Sequence, residues 1–323
     1  MSENRFRDRT ITFANGSTGR AIDFETANPV NFFEAISAPQ KMQRAIIDGK
    51  LFLPPGHEGP VPAVIVVPGS LGVAVSHLAH AETITGLGMA AFVIDPFGAR
   101  GVTSTVSNQA QYSFAASGYD VLAAVKALAA LPEIDSERIG AQGHSRGGSA
   151  VLTAAARRFA DPVMTDGPRL CAVYAAYPWC GQQFLNPDVG TTKVRAIIGD
   201  RDEWCLPQQV QGHIQAIRLG GGDATIRIVE GAQHSFDRET AIEKVESASV
   251  SPGAPTIYIA DDGAFVHPLA ARPDPVLTDR DLMVYAVKSG YGIRGAKIGS
   301  ASGQPALFRD DMVRFWRSVL QRG

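Results

Sequence analysis

Gly143-His144-Ser145-Arg146-Gly147 is the stretch that decides the fold. It fits the G-x-S-x-G pattern of a nucleophile elbow, a sharp strand-to-helix turn with an exposed serine at its tip. Its flanks fit as well. Arg138-Ile139-Gly140-Ala141-Gln142 reads as a strand running into the serine, and Gly148 to Ala156 as a helix running out of it. The glycines beside Ser145 remove Cβ atoms that would clash in so sharp a bend. The helix N-terminus then points its partial positive charge at any anion that forms beside the hydroxyl.

A serine hydroxyl needs a base to take its proton, and the base needs an acid to orient it. In elbow folds the chain order is serine, then Asp or Glu, then histidine. Lys193 to Gly199 reads as a buried strand that empties into Asp200-Arg201-Asp202-Glu203-Trp204. Pro207 to Leu219 reads as a helix and Ala224 to Val229 as another strand, which leads to Gly231-Ala232-Gln233-His234-Ser235-Phe236-Asp237. His234 therefore lies on the loop after the last core strand, where the base belongs. Asp200 and Asp202 share a face of an extended segment. Asp202 lies further past the strand end, so it is the favoured acid, with Asp200 and Glu203 left to solvent or to Arg201. The other histidines lack the strand-loop placement. His144 packs within the elbow, His77, His80 and His213 lie on helices, His57 is in a Pro/Gly-rich loop, and His267 is in an added segment.

Pro62 to Val67 is a continuous apolar run suited to a strand buried on both faces. It ends at Pro68-Gly69-Ser70-Leu71-Gly72. The backbone N–H of Ser70, with that of Arg146, is the expected oxyanion hole. Trp179, Trp204 and Phe97 follow strand ends and could line an apolar pocket or simply cap the core. Arg100 could bind a substrate carboxylate. For the Arg146 side chain a structural role under the elbow is favoured.

Strands alternate with helices along most of the chain, which predicts a mostly parallel central sheet flanked by helices. The expected strands are Ala45–Leu53, Val64–Val67, Met89–Asp95, Leu170–Ala176, Lys193–Ile198 and Ala224–Val229, besides the one entering the elbow. Expected helices cover Val75–Leu87, Ser113–Leu131 and Pro305–Leu320. Residues 1–44 form an N-terminal extension with a short strand or two in 10–25, and Phe32-Phe33 can cover something apolar. Residues 240–303 are an inserted segment before the C-terminal helix, longer than a plain connection. Within it, Asp261-Asp262-Gly263 reads as a hairpin turn and Thr278-Asp279-Arg280-Asp281 as the capped start of a helix. The insertion is a lid, a pocket wall or an oligomer arm, and a homo-oligomer is therefore allowed.

The chain resembles the dienelactone hydrolase family of α/β-hydrolases. The matching stretches are Gly143 to Gly148, Tyr177-Pro178-Trp179-Cys180, Gly199 to Trp204 and His234 to Asp237, spread over roughly residues 45–240. The resemblance implies an α/β-hydrolase fold and an acid at Asp202, and a chain of this length is expected to form a single domain over 1–323. Two residues depart from the family's namesakes, which use a cysteine nucleophile and a glutamate after the first core strand. Ser145 and Gly69 stand there instead, so a serine esterase is expected and the lactone substrate is not carried over.

The 323 residues carry a formal charge of −2. That leaves no basic surplus for nucleic acid or an anionic membrane. The charged opening residues show no signal sequence and no run is long enough to span a bilayer, so a cytoplasmic protein is expected. Cys171, Cys180 and Cys205 fit no metal motif, and Cys180 and Cys205 could pair at the site rim. No cofactor or metal is expected. The leading expectation is hydrolysis of a small-molecule ester. An amidase or peptidase of the same fold, or a ligand-binding scaffold without catalysis, are the alternatives.

Overall fold

The computed structural model describes residues 5–321. An eight-stranded sheet forms its centre. In chain order its strands are β1 (Arg20–Asn28), β2 (Gln43–Phe52), β3 (Val61–Val67), β4 (Ala90–Asp95), β5 (Ile134–His144), β6 (Ala172–Ala176), β8 (Lys193–Gly199) and β9 (Ala224–Val229). They lie in the order β1-β2-β4-β3-β5-β6-β8-β9. β1 and β2 pair antiparallel with each other, and β2 with β4; every later pairing is parallel. Runs such as Ala-Val-Ile-Val-Val in β3 and Ala-Ala-Phe-Val-Ile in β4 are buried throughout, as strands covered on both faces must be.

The covering helices are α2 (Val75–Gly86), α3 (Phe114–Ala129), α4 (Arg146–Ala155), α6 (Pro207–Leu219) and α8 (Gln304–Leu320). Two short helices complete the layers, α1 (Phe32–Ser37) and α5 (Arg157–Met164). The aromatic pair in the extension has a partner: the Phe32 ring meets Phe159, Phe184 and Phe265 edge-on at 5.8, 5.5 and 5.7 Å.

The inserted segment is folded. β10 (Glu243–Val250) pairs antiparallel with β13 (Ile293–Ile298), and β11 (Ile257–Ile259) forms a hairpin with β12 (Phe265–Val266). β11 also pairs in parallel with β7 (Gln182–Phe184), a short strand that follows β6. Between β12 and β13 lies α7 (Asp279–Lys288), started by a capping box from Thr278. The segment is tied to the rest by specific hydrogen bonds. Asn31 donates to Pro275 O and Leu277 O at 3.0 and 2.8 Å, and Ser249 N donates to Val106 O at 2.9 Å.

Parallel register brings the C-terminal ends of the central strands to one edge. Val67 faces Gly143 across the ladder, and His144 faces Ala176. The loops that leave this edge carry the candidate site, as expected for open α/β sheets.

Candidate active site

Ser145 sits between β5 and α4 at φ 55° and ψ −116°, a strained conformation for a residue with a side chain. Such a position costs about 1–3 kcal/mol and persists only where its surroundings enforce it. Here they do. A Cβ on Gly143 would lie 1.9 Å from Gly147 O, and one on Gly147 would lie 2.3 Å from Val67 O. Both glycines are required by close approach. Ser145 N also donates to Ala176 O at 2.9 Å, which ties the turn to the neighbouring strand.

The loop after β9 brings His234 to this serine. His234 Nε2 lies 2.9 Å from Ser145 Oγ, and His234 Nδ1 lies 2.8 Å from Asp202 Oδ2. The other oxygen of Asp202 accepts from the backbone N–H groups of Trp204 and Cys205 at 2.8 and 2.9 Å. The carboxylate is thus held by its own loop, and it holds the imidazole with the Nδ1 proton facing it. Of the two aspartates, Asp202 is the one at the histidine. Asp200 accepts from Gly231 N at 2.7 Å, and Glu203 takes Lys297. The loop carrying His234 is clamped from the insertion, where Gly299 N donates to His234 O at 3.0 Å.

A buried polar chain forms the floor beneath the elbow, and the donor and acceptor at each link are fixed. Asp237 can only accept, so Tyr177 donates its hydroxyl proton to Oδ1 at 2.7 Å and His80 donates Nε2–H to Oδ2 at 2.8 Å. Tyr177 must therefore accept from His144 Nδ1–H at 2.9 Å. That leaves His144 Nε2 to accept from the Gln142 amide at 3.1 Å, while Gln142 Oε1 accepts from Trp316 Nε1–H at 2.9 Å. Burial, with His77 alongside, holds His144 well below its ordinary value, so it stays neutral. Burial pushes Asp237 up, but the hydrogen bonds from His80 and Tyr177 and the neighbouring imidazoles win and hold it well below the usual carboxylate range. The Tyr177 ring packs on His234 at 4.7 Å, which links this floor to the base.

Ser70 N and Arg146 N donate to no acceptor among the described residues. A Cβ on Gly69 would stand 3.1 Å from Ser145 Cβ, so the turn carrying Ser70 abuts the serine. The Arg146 side chain has the structural place expected of it. It is 3% exposed, donates to Ser117 Oγ, Gln109 O and Tyr112 O, and lies 4.0 Å over the Phe114 ring. Burial lowers it to about 10, still protonated at neutral pH.

Beside Ser145 opens a cavity of about 110 Å³, mostly apolar, with Trp179 and Trp204 in its wall. Trp204 stacks on His234 at 5.2 Å and 16°. The opposite wall comes from the insertion, chiefly Ile257 and the α7 residues Leu282, Met283, Ala286 and Val287. α7 is anchored by Asp279, which accepts from Phe114 N at 2.8 Å and from Gln182 Nε2 at 2.6 Å.

Two expected pocket residues lie elsewhere. Phe97 is 2% exposed and packs edge-on against Tyr112 at 5.7 Å, because the loop after β4 folds back under α3. Arg100 is committed to Asp120, with hydrogen bonds of 2.8 and 2.9 Å, and to Asn28 at 2.7 Å. A substrate carboxylate would have to displace a buried ion pair. Cys180 and Cys205 are both buried free thiols, pushed up by burial, and do not pair. Two buried groups have metal-ligating chemistry, His80 with His144 and Asp237, and Asp202 with Cys205 and His234. In the first, His80 is already hydrogen-bonded to Asp237 and His144 to Tyr177; in the second, Asp202 is hydrogen-bonded to His234.

Fold and elbow together define an α/β-hydrolase. The dienelactone hydrolase family matches residues 47–253, more than half of the chain, and the protein belongs to that family of hydrolases. No curated protein matches it. Among solved structures it is similar to a dienelactone hydrolase-like promiscuous phosphotriesterase, P91, from metagenomic libraries, at 20% identity over 68% of this chain and 85% of that one, TM-score 0.48. A putative dienelactone hydrolase from Klebsiella pneumoniae is 20% identical over 67% and 88%, TM-score 0.47. Esterase Est2 from Thermogutta terrifontis is 15% identical over 65% and 85%, TM-score 0.48. No described helix is long and apolar enough to cross a membrane.

Proposed function

We propose that the protein hydrolyses small carboxylic esters through an acyl-enzyme on Ser145. His234 takes the serine proton and returns it to the leaving alcohol, and Asp202 fixes the histidine tautomer and stabilises the imidazolium. The free N–H groups of Ser70 and Arg146 receive the oxyanion. The observation that carries this reading is the unbroken line Asp202 Oδ2–His234 Nδ1, His234 Nε2–Ser145 Oγ, at 2.8 and 2.9 Å. A cavity of about 110 Å³ suits a short acyl or alkyl group, with the insertion as its wall. Three unpaired thiols fit a reducing cytoplasmic setting.

The test is turnover of p-nitrophenyl esters of increasing acyl length, with mass mapping of a fluorophosphonate adduct. Ser145→Ala should lower kcat by at least ~10³-fold while the protein stays folded, and the adduct should fall on Ser145. Unchanged activity in the variant, or an adduct elsewhere, sinks the assignment.

A further inference from the structure

Ser145 borders a second cavity as well. It has about 20 Å³ of room and is lined by Ser70, His77, Ser145, Tyr177, His234 and Arg238, among others. It shares Ser70, Ser145 and Trp204 with the larger cavity, but His234 lines only this one. A cavity needs roughly 10–15 Å³ and two to four polar partners to seat one water. This one meets both conditions and is too small for an acyl or alcohol group.

His77 supplies the decisive detail. It lies on α2 and is 1% exposed. Its Nδ1 accepts from Ala74 N–H at 2.9 Å. A backbone amide only donates, so the ring proton is on Nε2. That Nε2–H has no hydrogen-bond partner among the described residues. Nor is it one of the side-chain atoms sealed in the interior without a partner, so it meets open space, and the small cavity is the space His77 lines. Burial lowers the imidazole to about 3 against the attraction of Asp237, with the nearby Arg238 cation acting in the same direction as burial. His77 is therefore a neutral, fixed donor at neutral pH.

We infer that the small cavity seats the hydrolytic water and that His77 Nε2–H holds it against His234. The inference rests on the ester reading above. Once the alcohol has left, His234 Nε2 is again unprotonated. The water accepts from His77 and donates one O–H to His234. Its oxygen attacks the acyl carbon as that proton moves to His234, and the carbonyl π pair moves onto the oxyanion. The intermediate collapses, the bond from carbon to Oγ breaks, and Oγ takes the proton from His234. The carboxylic acid leaves with the water oxygen. A neutral donor orients the water without making it a poorer nucleophile, as a charged imidazolium would.

The role predicts a split between the two half-reactions. A water-holding residue serves deacylation alone; an oxyanion donor or a purely structural residue affects acylation too. Stopped-flow release of p-nitrophenol from p-nitrophenyl acetate separates them. In His77→Phe the acylation rate and kcat/KM should stay within about threefold, while kcat falls by up to about 100-fold and KM falls with it. Acyl-enzyme should accumulate on Ser145 by mass, with a burst even if the wild type shows none. His77→Gln, which keeps an amide donor, should recover most of kcat. His77→Ala adds no bulk and reads the same split if the phenylalanine variant does not fold. Equal slowing of acylation and deacylation, or no change in either, overturns the role. Absence of any wild-type acyl or fluorophosphonate adduct on Ser145 is a separate result: it overturns the ester reading, and this inference with it.

Discussion

The elbow and the insertion above it are built by opposite means. The elbow is fixed by the sheet: its strained serine is enforced by backbone atoms of β3 and β6 and by two glycines with no room for a methyl group. The insertion is attached through the short β7–β11 ladder, a few apolar side chains and a handful of side-chain and loop hydrogen bonds, of which those to Asp279 hold the helix that walls the cavity. The difference separates two properties. Bond-making geometry is tied to global stability, while the shape of the space offered to a substrate can change without unfolding the sheet.

The severest break comes on the elbow side. Gly147→Ala puts a methyl group 2.3 Å from Val67 O, and neither backbone can yield without opening the ladder. We expect a loss of about 4 kcal/mol or more, seen as insoluble or unfolded protein with no esterase activity. A soluble, active variant would mean that the elbow is far softer than its contacts require.

Acid should come next. Folded His77 and His213 titrate at about 3 and about 4, against an ordinary 6.5. Below pH 6.5 the unfolded chain takes up protons that these folded imidazoles refuse. Their stabilising contribution is whole above pH 6.5 and is lost as pH falls toward their folded values. Each can cost up to about 1.4 kcal/mol per pH unit in that window. Tm measured from pH 7.5 to 4.5 should fall steadily, and a flat profile would contradict the neutral buried state.

The mildest change belongs to the insertion. Asp279→Ala leaves Phe114 N–H and Gln182 Nε2–H without their acceptor and frees α7. Tm should fall by a few degrees, and KM for longer esters should rise about tenfold, or ~1.4 kcal/mol, with kcat for acetate little changed. An equal loss of kcat on every ester would join the two regions that the comparison separates.

The sequence disclosed these regions unequally, for the same reason. Ser145, Asp202 and His234 could be found because each follows a strand whose apolar run is continuous, and chain order supplied the rest. Phe97 and Arg100 also follow a strand, but their partners Tyr112 and Asp120 lie further along the chain, and nothing local says which way the loop folds. α5 carries Pro162 in its interior, and β10 and β13 pair across some forty residues; neither has a local signature. His77 was assigned only to a helix. Its face of α2 buries His77, His80 and Thr85 beside Ala81 and Ile84, so the usual contrast between apolar and polar faces is blurred. A polar residue on the inward face of a helix next to an elbow is the signal that could have found it.

The chain of donors under the elbow starts at Trp316, on a helix that follows every member of the proposed triad in sequence. During synthesis, Ser145, Asp202 and His234 are all made before α8 exists. Until α8 docks, Gln142 Oε1 lacks the indole that holds its amide, while Asp237 already orients Tyr177 and, through it, His144. A nascent chain halted near residue 300 would carry all three triad residues over a floor still open at its Gln142 end. The floor under the elbow is thus closed by the element that follows the whole proposed triad in the chain.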